Sequence, residues 1–299
     1  MTRFDDYLRW HRLQVDTADI DPVYPVLDVF AADADEHQRA WLCMLHVCYY
    51  HLGSTLTAYE RFPEAAALPA SRADLDDAGL LGLPTGTERR AHRSPHQLAR
   101  HLLAMRDTWA DVSPYEWAAK DWDWRALNDR LTTVVGNGRW AAYKAAEMLQ
   151  KVAGAPTAAT DAGHAYSSGP RKGLGLLYAD LPAGNDPRTV AFLDAVTDSV
   201  ADTLGEADVA LVETSLCDFA SLVGGNYYLG HDIDQMLTQL SDSRISAPAG
   251  IWQARADALP RGLLGEHGGW PGIRRNLKRV YADTADLDAM LAKVWAVPT

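Results

Sequence analysis

Gly136-Asn137-Gly138-Arg139-Trp140-Ala141-Ala142-Tyr143-Lys144-Ala145-Ala146-Glu147 is a tight turn that runs into a helix. Two glycines around one residue expose backbone N–H groups, and Ala141, Ala145, Met148 and Val152 then recur on a core-facing stripe. Trp140, Lys144 and Glu147 fall at i, i+4 and i+7, with Tyr143 beside Glu147, so a cation, a carboxylate and two aromatics share a second face. Unpaired amides and the helix dipole both favour an anion at such a start, which makes Gly136, Asn137, Gly138 and Arg139 candidate phosphate contacts. The plainer alternative is a glycine-started helix with a surface Lys–Glu pair.

Outward from this turn the pattern stays helical. Gln38 to Leu52 is apolar on several sides and reads as a buried helix. The chain breaks up between Pro63 and Pro84, and Ser94-Pro95 then opens a helix through Trp109. Ser113-Pro114-Tyr115-Glu116 is another helix start, with a cap, a proline and a first-turn carboxylate. Trp117, Trp122 and Trp124, with Asp121 and Asp123 between them, read as packing at a helix junction. A helix over roughly 206–223 carries the stripe Val209, Val212, Leu216, Phe219 and Val223. No strand-rich region or repeat stands out. The expected fold is all-α, one unit over 1–299, with the small and polar stretch 153–170 as the place where two lobes would part.

A second glycine-bearing start is Ser167-Ser168-Gly169-Pro170-Arg171-Lys172-Gly173-Leu174. Either serine can cap, Gly169 permits close backbone approach, and Pro170 suits the first turn of a helix over 170–177. Arg171 and Lys172 then add two cations where the dipole is already positive, an arrangement that an anion would relieve. Ser167, Ser168, Gly169 and Lys172 are therefore candidate phosphate ligands, and the two glycine starts are expected to converge on one cavity.

Two further groups carry chemistry. Glu213 and Cys217 are one turn apart beside the apolar stripe, where partial desolvation would suit Glu213 to general-base work; Cys217 reads as packing before nucleophile. In Gly230-His231-Asp232-Ile233-Asp234-Gln235, Asp232 and Gln235 fit a capping arrangement. The sharper reading makes His231, Asp232 and Asp234 ligands of a hard divalent cation such as Mg2+ near a phosphate.

The 299 residues, 47% hydrophobic and 23% charged, have the composition of a globular chain. No apolar run reaches the ~18 residues of a membrane span, and the N-terminus lacks a signal-peptide pattern. Cys43, Cys48 and Cys217 have no zinc-type spacing and suit free thiols in a reducing cytoplasm. A net charge of −12 argues against a generic DNA-coating protein but leaves room for a local basic groove. Arg89, Arg90, Arg93, Arg100 and Arg106, interleaved with His92, His96 and His101, form one basic stretch. Arg274, Arg275, Lys278 and Arg279 form another. Both read as solvated helix faces or as the sides of such a groove.

The order Gly-Asn-Gly-Arg-Trp-Ala-Ala-Tyr-Lys, Gly-Pro-Arg-Lys-Gly-Leu and Glu-x-x-x-Cys-Asp-Phe resembles the helical enzymes of thymine hypermodification in phage and bacterial DNA. These are the alpha-glutamyl/putrescinyl thymine pyrophosphorylases, the amino acid:DNA transferases and the helical part of hydroxymethyluracil DNA kinases. The resemblance covers roughly residues 35–240. It implies a fold like that of helix-hairpin-helix DNA glycosylases, with the Gly-x-Gly turn as the hairpin. It also implies displacement of pyrophosphate from activated 5-hydroxymethyluracil by an amine or amino acid. On that reading Arg171, Lys144 and Glu213 are catalytic, and Trp140, Tyr143, Glu147, Cys217 and Asp218 line the substrate. The partners would be DNA containing the modified pyrimidine and an amine or amino-acid co-substrate, with no membrane. The −12 charge keeps a rival in view, a relative acting on a free nucleotide or small phosphorylated metabolite, and beyond it a non-catalytic nucleic-acid-binding module. No P-loop is present, so the kinase step lies elsewhere.

Overall fold

The computed structural model describes residues 2–120, 122–246, 250, 251 and 287. Among them every regular element is a helix: α1 (Arg3–Asp16), α2 (Val23–Phe30), α3 (Glu36–Tyr49), α4 (Leu52–Arg61), α5 (Arg72–Asp77), α6 (Pro95–Trp109) and α7 (Pro114–Ala118). They continue with α8 (Trp124–Leu131), α9 (Arg139–Lys151), α10 (Gly169–Leu177), α11 (Pro187–Leu204), α12 (Val209–Val223) and α13 (His231–Asp242). Short 3-10 turns join several of them. No described helix is long and apolar enough to cross a membrane. The basic group Arg274, Arg275, Lys278 and Arg279 lies outside the described residues, as does Asp121.

The chain forms two compact bodies. The first takes the N-terminal segment to Pro22, Asp161–Gln235 and the described residues 250, 251 and 287; the second takes Val23–Thr160 and residues 236–246.

In the second body α3 is the central element. Asp35 starts it through a reciprocal box with Gln38, and Tyr50 ends it in the left-handed conformation. Every residue from Ala40 to Tyr49 is buried, and α4, α6, α7 and α9 pack around it. The absence of a polar stripe on α3 follows from that surround. Trp41 meets Trp109 edge-on at 6.5 Å, Trp109 meets Trp117 at 5.9 Å, and the Arg130 guanidinium covers Trp117 at 4.1 Å. The tryptophan-rich junction is therefore packing.

In the first body α10 and α12 touch most closely. A Cβ at Gly169 would lie 2.3 Å from Cys217 Sγ, and one at Gly173 would lie 2.3 Å from the Leu216 carbonyl oxygen. Glycines one turn apart let α10 lie against the backbone of α12. Leu174, Leu193, Val200, Val212, Leu216, Phe219 and Leu222 fill the core with Tyr7 and Trp10 of α1. The α12 helix begins at Val209 rather than 206 because the Asp208 carboxylate caps it, accepting from the Ala210 N–H.

Candidate functional site

The Gly136 turn joins α8 to α9, and these two helices pack on each other. Gly136 has φ +103°, and a Cβ there would meet the His101 ring at 2.4 Å, so only glycine fits. Gly138 starts α9 with ordinary extended angles, no side-chain cap and open space around its missing Cβ. Gly138, having no side chain, supplies no cap to the amides of Arg139 onward.

Beneath the turn lies a buried polar group that the sequence disguised as surface. Arg89, His92 and His101 are interior, whereas Arg90, Arg93, His96 and Arg100 are exposed, so the expected basic face is split. Arg89 donates to the Gly136 carbonyl (2.9 Å) and lies 3.1 Å from ring nitrogens of both His92 and His101. Burial and the adjacent guanidinium pull His92 down to about 4 and His101 well below the ordinary histidine value. Both rings are therefore neutral acceptors for Arg89. Cys48, His92 and His101 bring three potential metal donors within 4.8 Å, but the guanidinium already holds both rings and would repel a cation. This group braces the turn.

Residues Ala141 to Leu149 of α9 are all buried. The surface Lys–Glu pair is thereby corrected: Lys144 Nζ donates to Glu147 Oε2 at 2.8 Å in the interior, with side chains 7% and 0% exposed. Tyr143 is buried edge-on against Trp124 at 5.0 Å. Trp140 meets Tyr50 at 5.0 Å and is half-buried.

At the second glycine start α10 begins at Gly169, and neither serine supplies the expected cap: Ser168 precedes the helix in an α-like conformation without a side-chain hydrogen bond. The close approach that Gly169 allows is to Cys217. Arg171 Nε donates to the His164 carbonyl (2.6 Å), and its Nη1 donates to the Gly184 carbonyl, so this guanidinium ties the loops on either side of α10. Lys172 is exposed in the first turn. Cys217 is half-buried at the α10 contact.

The same body holds an acidic group drawn from three segments. Glu213 is 5% exposed, and the Thr214 hydroxyl donates to Asp21 at 2.8 Å. Gln14 Nε2 donates to Asp218 Oδ2 (2.8 Å), and the Gly230 N–H donates to Asp19 Oδ2 (2.6 Å). Burial first and then the neighbouring carboxylate of Asp232 raise both Asp19 and Asp218 well above the usual carboxylate range. Helix α13 starts at His231, so Asp232 lies inside the first turn and the expected Asp232–Gln235 cap does not form. His231 Nδ1 is 2.9 Å from Asp232, and Asp234 accepts from the Tyr228 hydroxyl at 2.8 Å. Sequence reasoning missed Gln14, Asp19 and Asp21, which belong to no motif and join Asp218 and Gly230 across some two hundred residues. It also missed a cavity of about 260 Å³ in the second body between His37, Trp41, Glu64, Trp109 and Asp111.

Gly138 and Gly169 belong to different bodies. Fold and site together describe an all-α protein with a braced glycine turn on one body and a buried acid cluster on the other. The model of the family described as amino acid:DNA transferase matches residues 15–228, and the chain belongs to that family. No solved structure matches the chain.

Proposed function

We propose that the protein transfers an amine or amino acid onto a modified pyrimidine in DNA, displacing pyrophosphate from activated 5-hydroxymethyluracil. The family match over residues 15–228 carries this reading, because it spans both glycine elements and the Glu213 helix. In the step the amine nitrogen forms a bond to the exocyclic carbon. The carbon–oxygen bond to pyrophosphate breaks, and the leaving group takes the electron pair. The nitrogen gives up its extra proton to a base.

The α8–α9 hairpin would contact DNA phosphate through the Gly136–Arg139 turn, in the manner of a helix-hairpin-helix. Lys172 would meet the departing pyrophosphate, with Arg171 positioning it by holding the flanking loops. Glu213, shielded on α12 one turn from the Gly169–Cys217 contact, is the candidate base. Lys144 is the other proposed catalytic cation, acting from its pair with Glu147. Within the second body Arg139 and Trp140 would add to the contacts of the Gly136–Arg139 turn, and within the first body Ser167, Ser168 and Asp218 would add to those of Lys172 and Glu213. The fully cytoplasmic setting and a Mg2+ held by His231, Asp232 and Asp234 belong to the same proposal.

The test is mass spectrometry of nucleosides from DNA carrying the pyrophosphorylated base, after incubation with the protein and candidate amines. An amino-modified thymidine with equimolar pyrophosphate release is the expected result; unchanged nucleosides overturn it. The −12 charge favours one rival, a free nucleotide or small phosphorylated metabolite as acceptor. Modification of the free nucleotide but not of DNA would establish that rival.

A further inference from the structure

Two helices of the second body begin at the same end of α3. Tyr50, which ends α3, packs on Trp140 in the first turn of α9, and Cys43, earlier in α3, donates to the Met148 carbonyl late in α9. Trp41 meets Trp109 at the end of α6, whereas His92, 2.7 Å from the Cys48 carbonyl oxygen, packs on His101 nearer the start of α6. Both α6 and α9 therefore run antiparallel to α3, and both positive helix ends lie beside its last turn. Neither start carries a side-chain cap. The 3-10 turn Thr87–Arg93 that leads into α6 sorts its residues by threes: Arg89 and His92 face inward, Arg90 and Arg93 outward. Because Arg89 donates to the Gly136 carbonyl, it ties the exposed pair to the glycine turn. Arg100 is exposed next to His101, the residue whose ring lies against Gly136.

We propose that Arg90, Arg93 and Arg100 form a second row of phosphate contacts beside the Gly136–Arg139 turn, a surface by which the second body holds duplex DNA. The choice of DNA as the partner rests on the transfer reading above. The argument for a polyanion is one of charge. The segments 78–106 and 130–146 that meet at the turn contain a single carboxylate, Glu88, in a chain of net charge −12. Among the described residues Arg90, Arg93 and Arg139 have no ion-pair partner, and Arg100 reaches Gln97 Oε1 at 3.5 Å. Cations without counter-ions at two positive helix ends repel each other and oppose the dipoles, a cost that phosphates remove. One small phosphate fits less well. Arg93 and Arg100 flank the first turns of α6, roughly 10 Å apart along it, whereas duplex DNA offers a charge about every 1.7 Å of its axis. The cavity lined by Trp41 and Trp109 lies at the opposite end of α3.

The experiment is fluorescence anisotropy of the full-length protein with a labelled duplex containing ordinary thymine, over a salt series, so that binding is read without transfer. Arg90→Ser combined with Arg93→Ser is expected to weaken binding about tenfold and to flatten the log–log salt slope by roughly 0.9 per lost contact. Arg90→Lys with Arg93→Lys keeps the charge and should restore most of the affinity. Arg100→Ser gives the same answer if the serine pair does not fold. A control pair, Arg72→Ser with Arg188→Ser, removes equal charge at other exposed positions and should change affinity by less than about twofold. No duplex binding by the parent, unchanged affinity in the folded variants, or an equal loss in the control pair overturns the proposal. If the variants lose duplex binding while the parent leaves activated DNA unmodified, the surface stands and the transfer reading falls. If the parent modifies DNA and the variants bind and modify it equally well, the transfer reading stands and the surface falls.

Discussion

Lys144 and Glu147 form an ion pair inside the second body, Nζ to Oε2 at 2.8 Å, with the carboxylate fully out of contact with solvent. One turn of α9 thus holds both charges where neither is hydrated. Deleting one partner leaves the other charge buried without this pairing, which costs about 3–5 kcal/mol in comparable pairs. Lys144→Met and Glu147→Gln are each expected to lower the urea midpoint strongly. The double variant should lose much less than the sum. Additive losses in the double-mutant cycle would contradict the coupling.

The two glycines of the 136–138 turn should behave oppositely. Gly136→Ala meets the His101 ring and demands a left-handed backbone, so a loss of more than ~1 kcal/mol is expected. Gly138→Ala meets nothing and has ordinary angles, so stability should change by less than ~0.5 kcal/mol. If the turn grips phosphate, the same methyl should weaken DNA binding in a filter or anisotropy assay. Equal thermal behaviour of the two variants would refute the distinction.

Arg171 and Lys172 divide structure from chemistry. Sequence alone makes Arg171→Ala inactive yet stable, but its hydrogen bonds to the His164 and Gly184 carbonyls predict a stability cost of about 1–3 kcal/mol. Lys172→Ala, at an exposed site, should unfold like the parent and release pyrophosphate more slowly. Thermal melts run beside a pyrophosphate assay separate the two.

Stability should fall on mild acidification. His92, held at about 4 by burial and Arg89, and His101, pushed well below the ordinary histidine value by burial and Arg89, are neutral in the fold but return to about 6.5 when unfolded. Their folded-state values are depressed, so this stability is present above pH ~6.5 and is lost as pH falls toward 4. Asp19 and Asp218 carry raised values and work the other way: what they contribute is present at low pH and lost as pH rises through their folded-state values. Denaturant titrations between pH 7 and 4.5 should show the slope, flattened in His92→Asn. An unflattened slope would put its source elsewhere.

Glu213→Gln should abolish the acidic limb of the pH–rate profile while leaving binding of the activated base intact. Weaker binding with the limb retained would mean that Glu213 orients rather than deprotonates.

The helical class, the buried α3, the Pro-started α6 and α7 and the start of α9 were legible because each rests on local pattern. Arg89 and His101 were not, because they sit in a run that looks like a charged surface. Only tertiary packing turns them beneath Gly136. The glycines at 169 and 173 were legible as close-approach residues but not in what they approach, since the backbone of α12 is forty residues away. Asp19 carried no signal at all: its significance comes from the Gly230 amide.

The first body is stitched from the chain's beginning and from residues beyond 160, with Gln14 meeting Asp218 and Asp19 meeting Gly230. A growing polypeptide therefore emerges with α1 unable to find those companions until more than two hundred further residues have been synthesised. The stretch from Val23 to Thr160, nearly continuous, can consolidate during that wait. Closing so wide a loop last makes this body the slower of the two to form. Its buried acids are then assembled only after the long segment of the other body has been made.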